Sequence, residues 1–235
     1  MPSLAERVRY RLSYQWDLLR LGKTGLKEKY EMAYWAEQKA KQQTLTNDHY
    51  EPYYTSLFGL DRDFYTGKNL LDIGCGPRGS LEWADMTAER VGLDPLVDRY
   101  RDLGIDQHAM TYVNAGAEAM PFPDAHFDVV ASMNSIDHVE DLDRTIAEIK
   151  RVLKPGGTFL LCTDIHDEPT ICEPQTFSWE VVERFAPEMK VVQEEHLQVV
   201  EERMDATLAA RIPYDDAAKH DQTKHGFLVA RFVKQ

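Results

Sequence analysis

Between Asn69 and Asp164, short β-branched or Leu-rich runs alternate with segments of helical period, and that alternation confines the chain to a parallel sheet with crossover helices. Strands are expected at Asn69 to Ile73, Val91 to Asp94, Met110 to Ala115, Phe127 to Met133 and Thr158 to Asp164. The clearest helix precedes the last of these. Leu142, Ile146, Ile149 and Leu153 recur at spacings of four, three and four, until Lys154-Pro155-Gly156-Gly157 stops the pattern. After Asp164 the spacing loosens into a helix from Ser178 to Ala186, a strand within Lys190 to Val200 and a closing strand from Gly226 to Val233. The expected fold class is α/β, a doubly wound, mostly parallel seven-stranded sheet. Residues 201–225 are too many for a hairpin turn, and form an insertion that is either a surface excursion or an active-site wall.

Residues 1–68 come before the sheet domain of 69–235 and read as two or three helices, an N-terminal helical extension that caps it. They are rich in aromatics: Tyr10, Tyr14, Trp16, Tyr30, Tyr34, Trp35, Tyr50, Tyr53, Tyr54, Phe58, Phe64 and Tyr65. Such side chains either dock the helices on the domain or form a lid with a few rings facing a pocket, and different residues can do each.

The first strand ends in Gly74-Cys75-Gly76-Pro77-Arg78-Gly79, with glycines at the first, third and sixth positions of GxGxxG, and the turn is expected to open a helix. Glycine lets the backbone turn tightly and approach a ligand, and a helix N-terminus would supply free N–H groups. Asp94 stands twenty-two residues after Asp72 at the end of the next strand, where a carboxylate can accept hydrogen bonds from ribose hydroxyls. Together these features point to a nucleoside cofactor.

Asp72-Ile73-Gly74-Cys75-Gly76 resembles the first motif of the class I S-adenosylmethionine (SAM) dependent methyltransferases. Three further blocks resemble that family in the same order: Ala117-Glu118-Ala119-Met120-Pro121-Phe122, Phe127-Asp128-Val129-Val130 with His138-Val139 behind it, and Arg151-Val152-Leu153-Lys154-Pro155-Gly156-Gly157. The resemblance covers about Asn69 to Asp164 and implies a Rossmann-like domain with SAM as cofactor. It implies that Gly74, Cys75 and Gly76 line the methionine and ribose portion, that Asp94, followed by Pro95, grips the ribose, and that Asp72 orients the loop or meets the amino group. Ala117 and Glu118 fall where the family contacts adenine, and Met133 and Asn134 fall beside the sulfonium. Many relatives carry an Asp for the adenine amino group where this chain has Gly116, which leaves adenine to the backbone or to Glu118.

Methyl transfer from SAM asks the protein mainly to align an acceptor and exclude water. A hydroxyl or amine acceptor must also lose a proton, for which His138 and His166 are the candidate bases, both just beyond strand ends. With Asn134 they make up the expected catalytic set. Asp137, Glu140 and Asp141 flank His138, and Asp164, Asp167 and Glu168 flank His166. A divalent metal is conceivable in such surroundings, but acidic loops are more often merely solvated, and no metal is expected. His49, His108, His126, His196, His220 and His225 give no spacing signal.

The charge balance narrows the substrate. Lys and Arg number 27 against 40 Asp and Glu, for a formal charge of -13. No basic block could neutralise phosphates, so the expected substrate is a small polar molecule and not nucleic acid. Arg7, Arg9 and Arg11 read as a solvated helix face. No apolar run is long enough to span a bilayer, the start is not that of a signal peptide, and Cys75, Cys162 and Cys172 suggest neither disulfides nor a zinc site. A cytoplasmic monomer or homodimer, with no membrane partner, is the expectation. Three other readings share the motifs: a lyase or cyclase that consumes SAM itself, a non-catalytic SAM-binding partner subunit, and a nicotinamide dehydrogenase. The last leaves Pro121-Phe122 and Lys154 to Gly157 unexplained.

Overall fold

The computed structural model describes residues 4–215 and 224–235. The chain opens with a long helix, α1 (Leu4–Gln42), whose path is interrupted at Gly22, where φ is 70° and ψ 179°. A short helix, α2 (Glu51–Tyr54), and 3-10 turns at Ser56–Phe58 and Asp63–Tyr65 follow. The sheet strands are β1 (Asn69–Ile73), β2 (Glu89–Leu93), β3 (Thr111–Val113), β4 (Phe127–Met133), β5 (Leu153–His166), β6 (Met189–Leu197) and β7 (Lys224–Lys234). Helix α3 (Val97–Tyr100) follows β2, α4 (Leu142–Val152) joins β4 to β5, and α5 (Met204–Ala210) lies between β6 and β7.

Among the described residues the strands form one seven-stranded sheet in the order β3-β2-β1-β4-β5-β7-β6. Strands β1 to β5 pair in parallel, and β7 runs antiparallel between β5 and β6. The order reverses between β1 and β4, so their carboxyl ends part at the crevice where sheets of this kind bind ligands.

Central strands buried on both faces need apolar residues at both parities, and β4 supplies them with Val129, Val130 and Ala131. On one face Leu71, Val130, Phe159 and Leu161 pack with Ile146, Ile149 and Val152 of α4. The Asp141 side chain caps that helix, accepting the Arg144 N–H at 3.0 Å. On the other face Leu70, Val129, Ala131 and Leu160 are covered by Tyr53, Tyr54, Leu57, Phe58, Tyr65 and Leu81. Each such large side chain contributes about 1.5–3 kcal/mol of burial. Residues 51–65 are thus a layer of the sheet domain, and α1 is the part that lies outside it.

Several expectations are corrected. No helix follows the glycine turn: residues 74–88 make only turns, with Glu82 N–H donating to Gly79 O and Ala84 N–H to Leu81 O, both at 3.0 Å. Gly79 sits at φ 76°, in the left-handed region, which a right-handed helix cannot include. The segment expected as a helix from Ser178 to Ala186 is a 3-10 helix over Trp179–Phe185. Lys154 to Gly157 do not lie outside the strand, since β5 already begins at Leu153. The side chains of Arg7, Arg9, Arg11, His220 and His225 and residues 216–223 of the expected insertion lie outside the described residues.

Candidate functional site

Helix α1 reaches the carboxyl edge of the sheet through polar and aromatic contacts. Lys27 Nζ donates to the His138 carbonyl, Glu31 Oε1 lies 3.1 Å from His138 Nδ1, and the Trp35 indole rests where a side chain on Gly76 would project. At its end, Gln42 Oε1 accepts from Arg78 Nη1 at 2.8 Å. Beneath the helix lies a cavity of about 1310 Å³. Asp72, Gly74, Gly76, Met133, Asn134 and Asp164, at the ends of β1, β4 and β5, line it together with Tyr30, Tyr34, Trp35, Tyr50, Tyr53 and Tyr54. Glu202, Arg203, Met204, Asp205 and Thr207 line it too, so the described start of the 201–225 insertion is a cavity wall.

Local chemistry explains the floor. Gly74 and Gly76 have φ of 67° and 58°, and a Cβ on Gly74 would collide with the Ser135 side chain, so only glycine fits. Asp72 is 2% exposed. Its Oδ2 accepts from Tyr54 Oη at 2.9 Å and from Ser80 Oγ at 2.5 Å, while Oδ1 has no hydrogen-bond partner. Burial pushes its carboxyl up to about 7, against the pull of the two hydroxyls and with added repulsion from Asp94.

Asp94 holds the loop from below. Its Oδ2 accepts the Gly76 N–H at 3.1 Å and its Oδ1 the Leu96 N–H at 2.9 Å, and burial raises its carboxyl to about 6 against those bonds. It does not line the cavity, because Met32 and Trp35 of α1 pack against Leu96, Val97 and Tyr100 beside it. Cys75 lines the cavity but is 4% exposed, with Sγ against Gly92, and burial pushes its thiol well up. Pro95 is exposed and Ala117 is buried in the core. Glu118 Oε1 accepts the Glu140 N–H at 2.8 Å. Neither these three nor Asp94 borders the cavity.

Of the expected catalytic set, Asn134 and His138 line the cavity and His166 does not. Asn134 has φ 56°, and its Oδ1 accepts the Asp164 N–H at 3.2 Å. Burial disfavours the His138 imidazolium, but Glu31 and then Asp137 outweigh it, so the pKa is raised. His166 is 2% exposed, and its Nε2 stands 3.9 Å from Asp137 Oδ2, the same distance as His138 Nε2. Glu31, Tyr54, Ser80 and Asp137 were not among the expected site residues. Ser80 beside the glycine turn, Tyr54 among the N-terminal aromatics and Asp137 next to His138 each carried a local signal; Glu31 meets the site through the tertiary fold.

Residues 71–161 match the model of a methyltransferase domain. The chain is 42% identical over 88 residues to the ubiquinone/menaquinone biosynthesis C-methyltransferase UbiE of Shewanella piezotolerans, which covers 37% of this chain and 33% of that one. It is 37% identical over 97 residues to the malonyl-[acyl-carrier protein] O-methyltransferase of Pseudescherichia vulneris, covering 40% and 38%. The chain thus spans about a third of the length of the curated relatives it matches. Among solved structures it resembles the methyltransferase bound to the Trm112 activator of Haloferax volcanii, with a TM-score of 0.59, 19% identity and coverage of 86% and 96%. It also resembles the [4+2]-cyclase SpnF, with a TM-score of 0.52, 21% identity and coverage of 78% and 91%. At these identities the structural likeness shows the fold.

Proposed function

We propose, from the match of residues 71–161 to a methyltransferase domain, that this chain is a class I SAM-dependent methyltransferase and transfers the SAM methyl group to a hydroxyl or amine of a small polar molecule held beneath α1. The observation that carries the proposal is Asp72: a buried carboxylate in the cavity lining with one oxygen unpartnered. Such a group calls for a cation, and SAM brings both an ammonium and a sulfonium. The glycine cradle at Gly74 and Gly76, open to backbone approach, fits the same ligand.

When bound, SAM supplies a methyl carbon already activated by its sulfonium. Asp72 would meet the positive charge, Gly74 and Gly76 would present backbone, and Asp94 would keep that backbone in place through the Gly76 N–H. Tyr30, Tyr34, Tyr50 and Tyr53 would screen the acceptor from water. The acceptor's proton would leave toward the polar corner of Glu31, Asp137 and His138, where His138 lines the cavity. The raised pKa of His138 favours the imidazolium, so its capacity as a base grows as pH rises.

The charge of -13 supports a small-molecule acceptor over nucleic acid. Among the described residues no helix is long and apolar enough to cross a membrane. The test is product analysis: purified protein is incubated with SAM alone, then with a panel of hydroxyl and amine acceptors. S-adenosylhomocysteine formed only in the presence of an acceptor is the expected result. Methylthioadenosine from SAM alone would establish the lyase or cyclase reading instead.

A further inference from the structure

Solvated acidic loops are the ordinary expectation around His138 and His166, and Asp137 departs from it. Asp137 has no exposed surface and His166 is 2% exposed. Both Asp137 carboxylate oxygens and His166 Nε2 are buried without a hydrogen-bond partner. A carboxylate so placed is stable only with a proton or a cation.

Hydrogen bonding on the far side of each ring shows what is missing. His166 Nδ1 lies 3.0 Å from the Glu168 carbonyl oxygen, which can only accept, so Nδ1 carries the hydrogen and Nε2 of the neutral ring is a lone pair. His138 Nδ1 stands in the same relation to Glu31 Oε1, at 3.1 Å. The two Nε2 atoms each lie 3.9 Å from one oxygen, Asp137 Oδ2. With neutral rings, three acceptors share a space with no donor among them. Glu173 joins the group: ligand atoms of Asp137, His138 and Glu173 all lie within 4.8 Å of one another.

We propose that Asp137, His138 and Glu173, with His166 at the same Asp137 oxygen, bind a divalent transition-metal ion in the wall of the cavity. Ligands of four-coordinate Zn2+, with bonds of about 2.0–2.2 Å, stand about 3.3–3.6 Å apart, so side-chain adjustments of about 0.5 to 1.5 Å close the site. An imidazole whose other nitrogen is tied to a carbonyl or carboxylate is the usual form of a metal-bound histidine, its ring fixed and its basicity raised. Paired imidazoles with carboxylates favour Zn2+, Fe2+ or Mn2+ over Mg2+, which prefers oxygen and water. His138 and Glu173 line the cavity, so the ion faces the acceptor. In that state His138 is a ligand, and hydroxide on the ion would take the acceptor's proton and become water. Binding of the ion is independent of SAM.

The full chain, freed of metal with a chelator, is titrated calorimetrically with Zn2+ alone, alongside Asp137→Asn, His166→Gln and His196→Ala. His196, whose Nε2 lies 2.7 Å from Glu194 Oε1 outside the cavity, controls for adventitious histidine binding. One equivalent of Zn2+ is expected to bind the wild type and the His196 variant, with affinity reduced at least about tenfold in the other two. Asp137→Asn removes a buried charge and is expected to melt no lower than wild type, which separates lost binding from lost fold. Absence of saturable binding, or wild-type affinity in both Asp137→Asn and His166→Gln, overturns the proposal.

Discussion

Asp72 keeps one carboxylate oxygen on the hydroxyls of Tyr54 and Ser80 and leaves the other unpartnered beside the cavity. Its pKa of about 7 in the fold stands above the ordinary 3.8. Between those values the native state holds a proton that the unfolded chain has lost, so stability falls as pH rises through the window. The cost is complete above about pH 7, and Asp94, raised to about 6, adds to it with the same sign. Asp72→Asn is therefore expected to raise the melting temperature of the ligand-free protein more at about pH 8 than at about pH 5. Thermal denaturation checks this, and equal shifts at both pH values would contradict it. At this scale Asp72, Gly74 and Gly76 were legible, because a glycine turn is set by neighbouring φ angles. Glu31 and the burial of Asp137 were not. Glu31 lies 107 positions from His138, and the burial of Asp137 follows from packing that no local pattern encodes.

Helix α1 presents Trp35 to Gly76 and Met32 to the Leu96–Tyr100 segment, beside the carboxylate expected to face a ribose. A nucleoside seated there, as the proposed function requires, would have to displace Trp35, and the helix would then compete with the cofactor for that end of the site. Trp35→Ala is expected to bind SAM several-fold more tightly than wild type. Weaker binding in a calorimetric titration would mean that the indole stacks on the cofactor instead of blocking it. Among the elements, β1 and β4 were readable to the residue because they are apolar at both parities, and α4 because Leu142, Ile146 and Ile149 keep one face. The helix expected after the glycine turn fails because Gly79 takes the left-handed conformation and leaves only turns before β2. Residues 51–65 read as part of a cap, yet Tyr54, Phe58 and Tyr65 are fully buried in the sheet's second core. Aromatic content marked them for burial without saying against which surface.

At the scale of the whole molecule, the order β3-β2-β1-β4-β5-β7-β6 brings the ends of β1, β4 and β5 to a single cavity, and α1 roofs it. Alternating strand and helix patterns announced that sheet. The roof came from a segment outside the recognisable motifs, whereas Asp137 and His138 of the acidic corner lie within the stretch they cover. Because the proposed function has SAM's positive charge answer the unpartnered oxygen of Asp72, the direct measurement is calorimetric titration of SAM into the wild type and Asp72→Asn at about pH 7.5, above the Asp72 pKa of about 7. Saturable binding of one SAM per chain in the wild type, lost in the variant, is the predicted result. No binding in the wild type, or the same affinity in both proteins, would contradict it.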